Sequence, residues 1–455
     1  MWLGKDMNIV IVGAGDMGRH IAAMLSKEQH NVVLIDNDPK KIEKVSSTLD
    51  IAVRVGSGSD WVLLEDLLEL SPHVLLALTG DDETNLVSCS IARHLGYPRT
   101  VARVGDSRFL NNTRLDYSHI FSVDYFIAPE LLVANDIVKY MVSPGSRAVE
   151  HFAHGAVQLR TLVIPSKWKK GDRSLKDLGL PSDVMVGLIR RPDKQGFRVI
   201  FPHGKDRLLP GDEVTFIGDA ETVSNLHHYF GGIDRAFKSA TIIGGSLTAI
   251  NLAKLLIQKE VAVKIIDKSY DKCAQLSEKL PQCTIVHHDA TDLEFLHAEK
   301  IKNADILIAC TRDDETNLVT ACLAKEAGCE DVVAILTNLS YLSLVERLGV
   351  HYAVSPRISA ANHILSQIFS GTVTSLISLY ENQAEIMEIN VSMDSKIVGI
   401  PLAELGPFFP EDFLIAVIQN RGRVMIANGG RIISPGDTVI VITSPQHVAE
   451  IQKMF

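Results

Sequence analysis

Short runs of consecutive apolar residues recur along the chain, spaced by segments in which apolar residues return every three or four positions. In the first part these runs are Ile9 to Val12, Asn31 to Ile35, Val74 to Leu78 and Thr100 to Val104. Strands buried on both faces read as unbroken apolar runs, and their alternation with helix-period segments predicts βαβ units and a parallel, doubly wound sheet. From about 148 to 232, and again from about 371 to 455, the pattern changes. There, strand-like runs are separated by turns such as Pro202-His203-Gly204, Pro210-Gly211-Asp212 and Asn428-Gly429-Gly430, with little helix. Those stretches predict small α+β modules.

The whole arrangement occurs twice. Asp81-Asp82-Glu83-Thr84-Asn85-Leu86-Val87 returns letter for letter as Asp313-Asp314-Glu315-Thr316-Asn317-Leu318-Val319, an offset of 232 from 81 to 313. Gly13 matches Gly244 and Asp36 matches Asp267, each 231 positions on, so independent landmarks keep nearly one register. The tails repeat as well, Pro210-Gly211-Asp212 before Val214 to Ile217 matching Pro435-Gly436-Asp437 before Val439 to Ile442. The fold expected is α/β: two Rossmann-like, doubly wound domains at 7–145 and 238–370, each followed by a small α+β domain, at 148–232 and 371–455. The joint between the halves falls in Gly231 to Ala236, where paired glycines precede a polar stretch.

The first strand runs into Gly13-Ala14-Gly15-Asp16-Met17-Gly18 and then into a helical segment. In a dinucleotide site the first glycine permits the tight turn, the second lets the backbone approach a pyrophosphate, and the third lets helix pack on strand, with free N–H groups at the helix start. Asp36 ends the second strand 18 residues after Gly18, near the spacing of the carboxylate that accepts from ribose hydroxyls and favours NAD over NADP. The alternative is that Asp36 only caps the next helix. Asp38 before Pro39 already fits that role, which leaves Asp36 for the ligand. Thr79-Gly80 would lie at the carboxyl edge of the sheet, near the switch point where such folds bind ligands. Arg103, a charge within an apolar run, must meet a phosphate or an acidic neighbour. Asp81 or Asp82 reads as the cap of the helix that follows.

The second half keeps Asp267, but its turn is Gly244-Gly245-Ser246-Leu247-Thr248-Ala249. Ser246 places a Cβ where the pyrophosphate should approach, Ala249 replaces the third glycine, and Ile335 stands where Arg103 does. A second site is expected to be weaker or altered.

Composition narrows the classes. A formal charge of -10 without a Lys/Arg cluster argues against nucleic acid and anionic lipid as partners. No apolar run approaches the roughly 18 residues of a membrane span. Met1 to Asp6 lacks the layout of a signal peptide and reads as an extension or alternative start before Met7. The six cysteines form no Cys-x-x-Cys pair, which fits reduced thiols in the cytosol, and His151 with His154, His227-His228 and His287-His288 lack companion ligands for a metal.

On these features the chain from Met7 to Phe455 resembles the TrkA-type regulatory subunits of bacterial potassium uptake, built from two tandem RCK (KTN) units. The glycine turn, Asp36, Gly56-Ser57-Gly58-Ser59, the paired Asp-Asp-Glu-Thr-Asn blocks, Ala128-Pro129-Glu130, and Ile426-Ala427-Asn428 ahead of Pro435-Gly436-Asp437 carry the resemblance. It implies a cytoplasmic protein, peripheral on the inner face of the cell membrane, that binds NAD(H), in some members ATP, ADP or AMP, and gates an integral potassium-translocating subunit of the TrkH/TrkG type. It implies a homotetrameric ring. It also places a first dinucleotide at Gly13 to Met17, Asp36, Thr79-Gly80 and Arg103, and a second nucleotide region at Gly244 to Thr248 and Asp267.

Two other classes compete. An NAD-dependent oxidoreductase with duplicated Rossmann domains needs an acid or base beside the nicotinamide; no Tyr-x-x-x-Lys pair exists, and neither α+β module concentrates such groups. A transcriptional regulator would need a helix-turn-helix or basic segment, and neither is found.

Overall fold

The computed structural model describes residues 7–455 except 28, 111–113, 143–145, 194–195, 232–236, 346, 351, 369–372, 381–382, 407–408, 411 and 421. The expected module ends at 145, 232, 370 and 371, most of the polar joint, and the extension at 1–6 therefore lie outside the described residues.

The strands build four sheets. The first holds β1 (Asn8–Val12), β2 (Asn31–Asp36), β3 (Ala52–Val55), β4 (Val74–Ala77), β5 (Thr100–Arg103) and β6 (Tyr125–Ile127). The second holds β7 (Ser146–Phe152), β8 (Val157–Val163), β9 (Val184–Asp193), β10 (Gly196–Ile200) and β11 (Glu213–Asp219). The third repeats the first with β12 (Ser239–Ile243), β13 (Ala262–Asp267), β14 (Thr284–His287), β15 (Ile306–Ala309), β16 (Val332–Ile335) and β17 (Tyr352–Val354). The fourth repeats the second with β18 (Val373–Leu379), β19 (Ala384–Asn390), β20 (Phe413–Asn420), β21 (Arg423–Ile426) and β22 (Thr438–Thr443).

Residues 6–138 and 237–364 form one compact unit. Its two sheets are parallel throughout, in the orders β3-β2-β1-β4-β5-β6 and β14-β13-β12-β15-β16-β17. The four apolar runs of the first half lie in β1, β2, β4 and β5, where Val10, Ile11, Leu75 and Leu76 are buried. Strands β3 and β6 carry no such run, because β3 is an exposed edge and β6 has three residues. In each sheet the strand order reverses beside the first strand, which opens a crevice at the carboxyl ends of the strands. The repeats touch within this unit. Ser359, on the helix Pro356–Ile368, donates to Asp136 at 2.6 Å, and Arg357 bridges to Asp16 at 2.8 Å.

Residues 139–236 and 365–455 form the other unit. Its sheets are antiparallel, ordered β10-β9-β11-β8-β7 and β18-β19-β22-β20-β21, and they share one core in which Phe152, Leu188 and Ile217 cluster with Ile386, Val417 and Ile440. Polar contacts cross this core: Thr215 and Tyr380 share a hydroxyl bond of 2.7 Å, and Glu388 accepts from the backbone N–H of Ala153 at 3.1 Å.

Candidate nucleotide site

The glycine turn between β1 and the helix Asp16–Lys27 uses each glycine differently. Gly13 has φ +110°, and a Cβ there would lie 2.9 Å from the Thr79 backbone nitrogen, so the turn and the β4 loop approach as only glycine allows. A Cβ on Gly18 would lie 1.9 Å from the Gly13 carbonyl oxygen, which shows how tightly the helix packs on the turn. Gly15 has nothing within 4 Å of its Cβ position, so the backbone is open on that side. With no side chain, Gly15 leaves the first helical N–H groups to an outside acceptor.

Asp36 is buried, and it is not free in the way the sequence suggested. Its Oδ2 accepts from the Ala14 N–H at 2.7 Å and its Oδ1 from the Asp38 N–H at 2.9 Å, so it braces the glycine turn. The separate cap is present: Asp38 accepts from the Lys40 N–H at 2.9 Å, ahead of Pro39. A carboxylate offers about four acceptor positions, so these two bonds, with the Lys41 ammonium 3.8 Å from Oδ2, do not exhaust it.

The repeated Asp-Asp-Glu-Thr-Asn block serves the same edge. Asp81 caps the helix Asp82–Leu95 by accepting from Thr84, whose hydrogen bonds hold the Asp81 carboxyl below its usual range. Asp82 instead accepts from the N–H groups of Gly105 and Asp106, at 2.9 and 3.0 Å, and so fixes the loop after β5. Asn85, fully buried, was missed in the sequence. Its oxygen accepts from the Thr79 N–H and hydroxyl at 2.9 and 2.7 Å, and its amide donates to the Thr79 and Arg103 carbonyls at 3.1 and 2.9 Å. Asn317 does the same for Thr311 and Ile335. The signal was the letter-for-letter repetition, since a side chain using both ends of its amide tolerates no substitute. The same bonds establish Ile335 as the counterpart of Arg103. Arg103 meets the acidic neighbour, with its Nη2 3.2 Å from Glu130 Oε1, while Glu130 Oε2 is buried without a hydrogen-bond partner.

A crevice of about 780 Å³ collects most of the candidate residues: Gly13, Gly15, Asp16, Met17, Asp36, Thr79, Gly80 and Arg103 line it, and Ser246, Leu247 and Thr248 enter from the second repeat. Ala14 and Gly18, both buried, do not line it. Such a volume falls within the roughly 300 to 1,000 Å³ usual for small-molecule and cofactor sites.

Gly244, Gly245 and Asp267 line a second cleft of about 240 Å³, which shares Ser246, Thr311 and Arg312 with the first. The brace is conserved between the repeats, with Asp267 accepting from the Gly245 N–H at 2.7 Å and the Ser269 N–H at 2.8 Å. The turn differs. Ser246 caps the helix Leu247–Gln258, its hydroxyl accepting from the Ala249 N–H at 3.2 Å and lying 3.1 Å from Cys310 Sγ. One helix-start donor open at Gly15 is thus occupied in the second repeat. Burial pushes the Cys310 thiol up to about 12, so it is no nucleophile at neutral pH.

Among the described residues no cluster of three or more His, Cys, Asp and Glu is placed to hold a metal, and no helix is long and apolar enough to cross a membrane.

Fold and crevice together define a duplicated Rossmann-type protein with a dinucleotide fingerprint in its first repeat and an antiparallel module after each parallel one. The chain matches the TrkA-N domain over residues 9–123 and 240–356 and the TrkA-C domain over 162–231 and 386–455. It belongs to the TrkA family. It is 31% identical to the Trk system potassium uptake protein TrkA homolog 1 of Methanosarcina mazei, over 99% of this chain and 100% of that protein. It is 29% identical to the Trk system potassium uptake protein TrkA of Halomonas elongata, over 99% of this chain and 98% of that one. Among solved structures, the GsuK channel covers 100% of this chain and 79% of its own, at 18% identity and a TM-score of 0.62. A GsuK channel bound to NAD covers 100% of this chain and 80% of its own, at 16% identity and a TM-score of 0.61. Both are likenesses of fold.

Proposed function

We propose that this chain is the nucleotide-responsive regulatory subunit of a membrane potassium-uptake system, taking NAD(H) in its first Rossmann-like repeat and gating an integral potassium-translocating partner. It acts from the cytoplasmic face and performs no chemistry on the nucleotide. We read it as four modules with the boundaries given above, assembled with other copies into a ring.

The observation that carries the reading is the first glycine turn, with Gly15 open and Asp36 at the end of β2, in a chain that matches potassium-uptake proteins from end to end. The GsuK channel with NAD bound supports a nicotinamide ligand, and a GsuK structure bound to ADP supports adenine nucleotides as alternatives. The oxidoreductase reading gains nothing from the crevice: its thiol is Cys310, and its carboxylates are engaged, Asp36 in holding the turn, Asp81 in capping a helix, and Asp16 and Glu130 in pairing with Arg357 and Arg103. The second repeat, with Ser246 over its helix start, serves more as scaffold than as a pyrophosphate site.

The test joins two measurements on the purified chain. Calorimetric titration with NADH is expected to show saturable binding. Incubation of reduced nicotinamide with pools of hydroxy acids, aldehydes and amines is expected to show no turnover. Steady turnover abolished by Asp36→Ala would overturn the regulatory reading in favour of an enzyme.

A further inference from the structure

Asp16 is an awkward residue for a pyrophosphate site. It is the first residue of the helix whose N-terminus faces the crevice, and it lines that crevice itself. A carboxylate there stabilises the bare helix through the dipole, yet it competes with a phosphate for the same positive end. Two guanidinium groups converge on it. Arg19, one turn along the same helix, is bonded to Oδ1, and Arg357 of the second repeat lies 2.8 Å from Oδ2.

Arg357 comes from outside the first repeat, at the start of the helix Pro356–Ile368, and lines the same crevice. It occupies the place that Glu130 holds after Pro129 in the first repeat, so the duplicated position carries opposite charges. Its side chain is 21% exposed, and its Nε is buried without a hydrogen-bond partner. A guanidinium has five donors in a planar fork. The Nη2 contact sets the positive charge of Arg357 directly on the Asp16 carboxylate. The charge count is simple. Asp16 with Arg19 alone sums to zero, and Arg357 makes the group net +1 at the mouth of the turn.

We propose that Arg357 of the second repeat is part of the first repeat's nucleotide site, where it offsets the Asp16 carboxylate and makes the turn receptive to a pyrophosphate. The inference rests on the reading of that turn as a dinucleotide site. It gives the second repeat a role its own altered turn does not supply, because ligand at the first turn then bears on the contact between the repeats. A ligand couples to a conformational equilibrium only through such differential contacts.

The experiment is calorimetric titration of the full chain with NADH for wild type, Arg357→Ala, Arg357→Lys, Asp16→Ala and the double variant Asp16→Ala/Arg357→Ala, with thermal unfolding run alongside. Arg357→Ala is expected to weaken binding at least tenfold and Arg357→Lys to stay within threefold of wild type. The double variant, net +1 again through Arg19, is expected to recover to within threefold of wild type. Wild-type affinity in Arg357→Ala would overturn the proposal, as would a double variant as weak as Arg357→Ala. Failure of the wild-type chain to bind NADH would remove instead the reading of the turn on which the proposal stands.

Discussion

Gly15→Ser copies into the first repeat the residue that the second repeat already carries, and it separates binding from folding. No heavy atom lies within 4 Å of a Cβ at Gly15, and its φ is not in the left-handed region, so the side chain fits without strain. Ser246 shows what the hydroxyl would do, accepting from the N–H three residues on at 3.2 Å. Serine in place of glycine at a helix cap changes stability by only a few tenths of a kcal/mol, so the thermal midpoint should hold. Binding should not. The hydroxyl takes a donor that would otherwise meet a phosphate oxygen, and a hydrogen bond to a charged group is worth roughly 1.5 to 3 kcal/mol. At about 1.4 kcal/mol per factor of ten, the dissociation constant for NADH should rise roughly 10- to 150-fold. Titration calorimetry reads the affinity and scanning calorimetry the midpoint. Unchanged affinity would refute the assignment of Gly15 to pyrophosphate contact. A fall in midpoint matching the loss of binding would show that the turn is structural alone.

Gly18→Ala should behave oppositely, since its Cβ would meet the Gly13 carbonyl at 1.9 Å; overpacking of about 1 to 3 kcal/mol should lower the melting temperature, and an unchanged midpoint would contradict the packing described. Asp36→Ala should weaken NADH at least tenfold and also destabilise the chain, because the Ala14 and Asp38 N–H groups lose their acceptor; calorimetry of both properties checks it, and intact affinity would leave Asp36 only a brace. Glu385, in β19, is buried, and that burial pushes its carboxyl up to about 7 against a hydrogen bond from Ser378 that lowers it. A raised acid contributes stability that is full below the unfolded value near 4.5 and is lost as pH rises through about 7. Glu385→Gln should therefore match wild type at pH 4 and exceed it at pH 8 by on the order of 3 kcal/mol, read from unfolding midpoints across that range. Equal stability at both pH values would remove Glu385 as the cause.

The central strands were legible because β1, β2, β4 and β5 are buried on both faces, so apolar content alone marks them. Strand β3, with Ala52, Arg54 and Val55 exposed, leaves no such mark. The glycine turn was readable since Gly13 and Gly18 sit at close approaches that only glycine allows, with Gly15 open between them. What escaped was the work of Asn85, which depends on Thr79 and Arg103 being brought to one sheet edge, a fact of topology that spacing does not contain. Asp36 was read as free because the chain shows its distance from Gly18 but not that the turn folds its Ala14 N–H back onto the carboxylate. Arg357 was invisible for a stronger reason: its partner Asp16 lies in the other repeat, and only the packing of the two sheets in one unit joins them.

Regulation of potassium entry by nucleotide at the first turn, as proposed, is open to test in cells. The most direct measurement is initial potassium uptake at low external potassium in cells that lack this chain and are complemented with wild type or Gly15→Ser at equal protein level. Uptake should depend on the chain, and Gly15→Ser should alter its rate while the protein remains folded and abundant. Uptake indifferent to loss of the chain, or identical with wild type and a Gly15→Ser protein shown to have lost NADH binding, would contradict it.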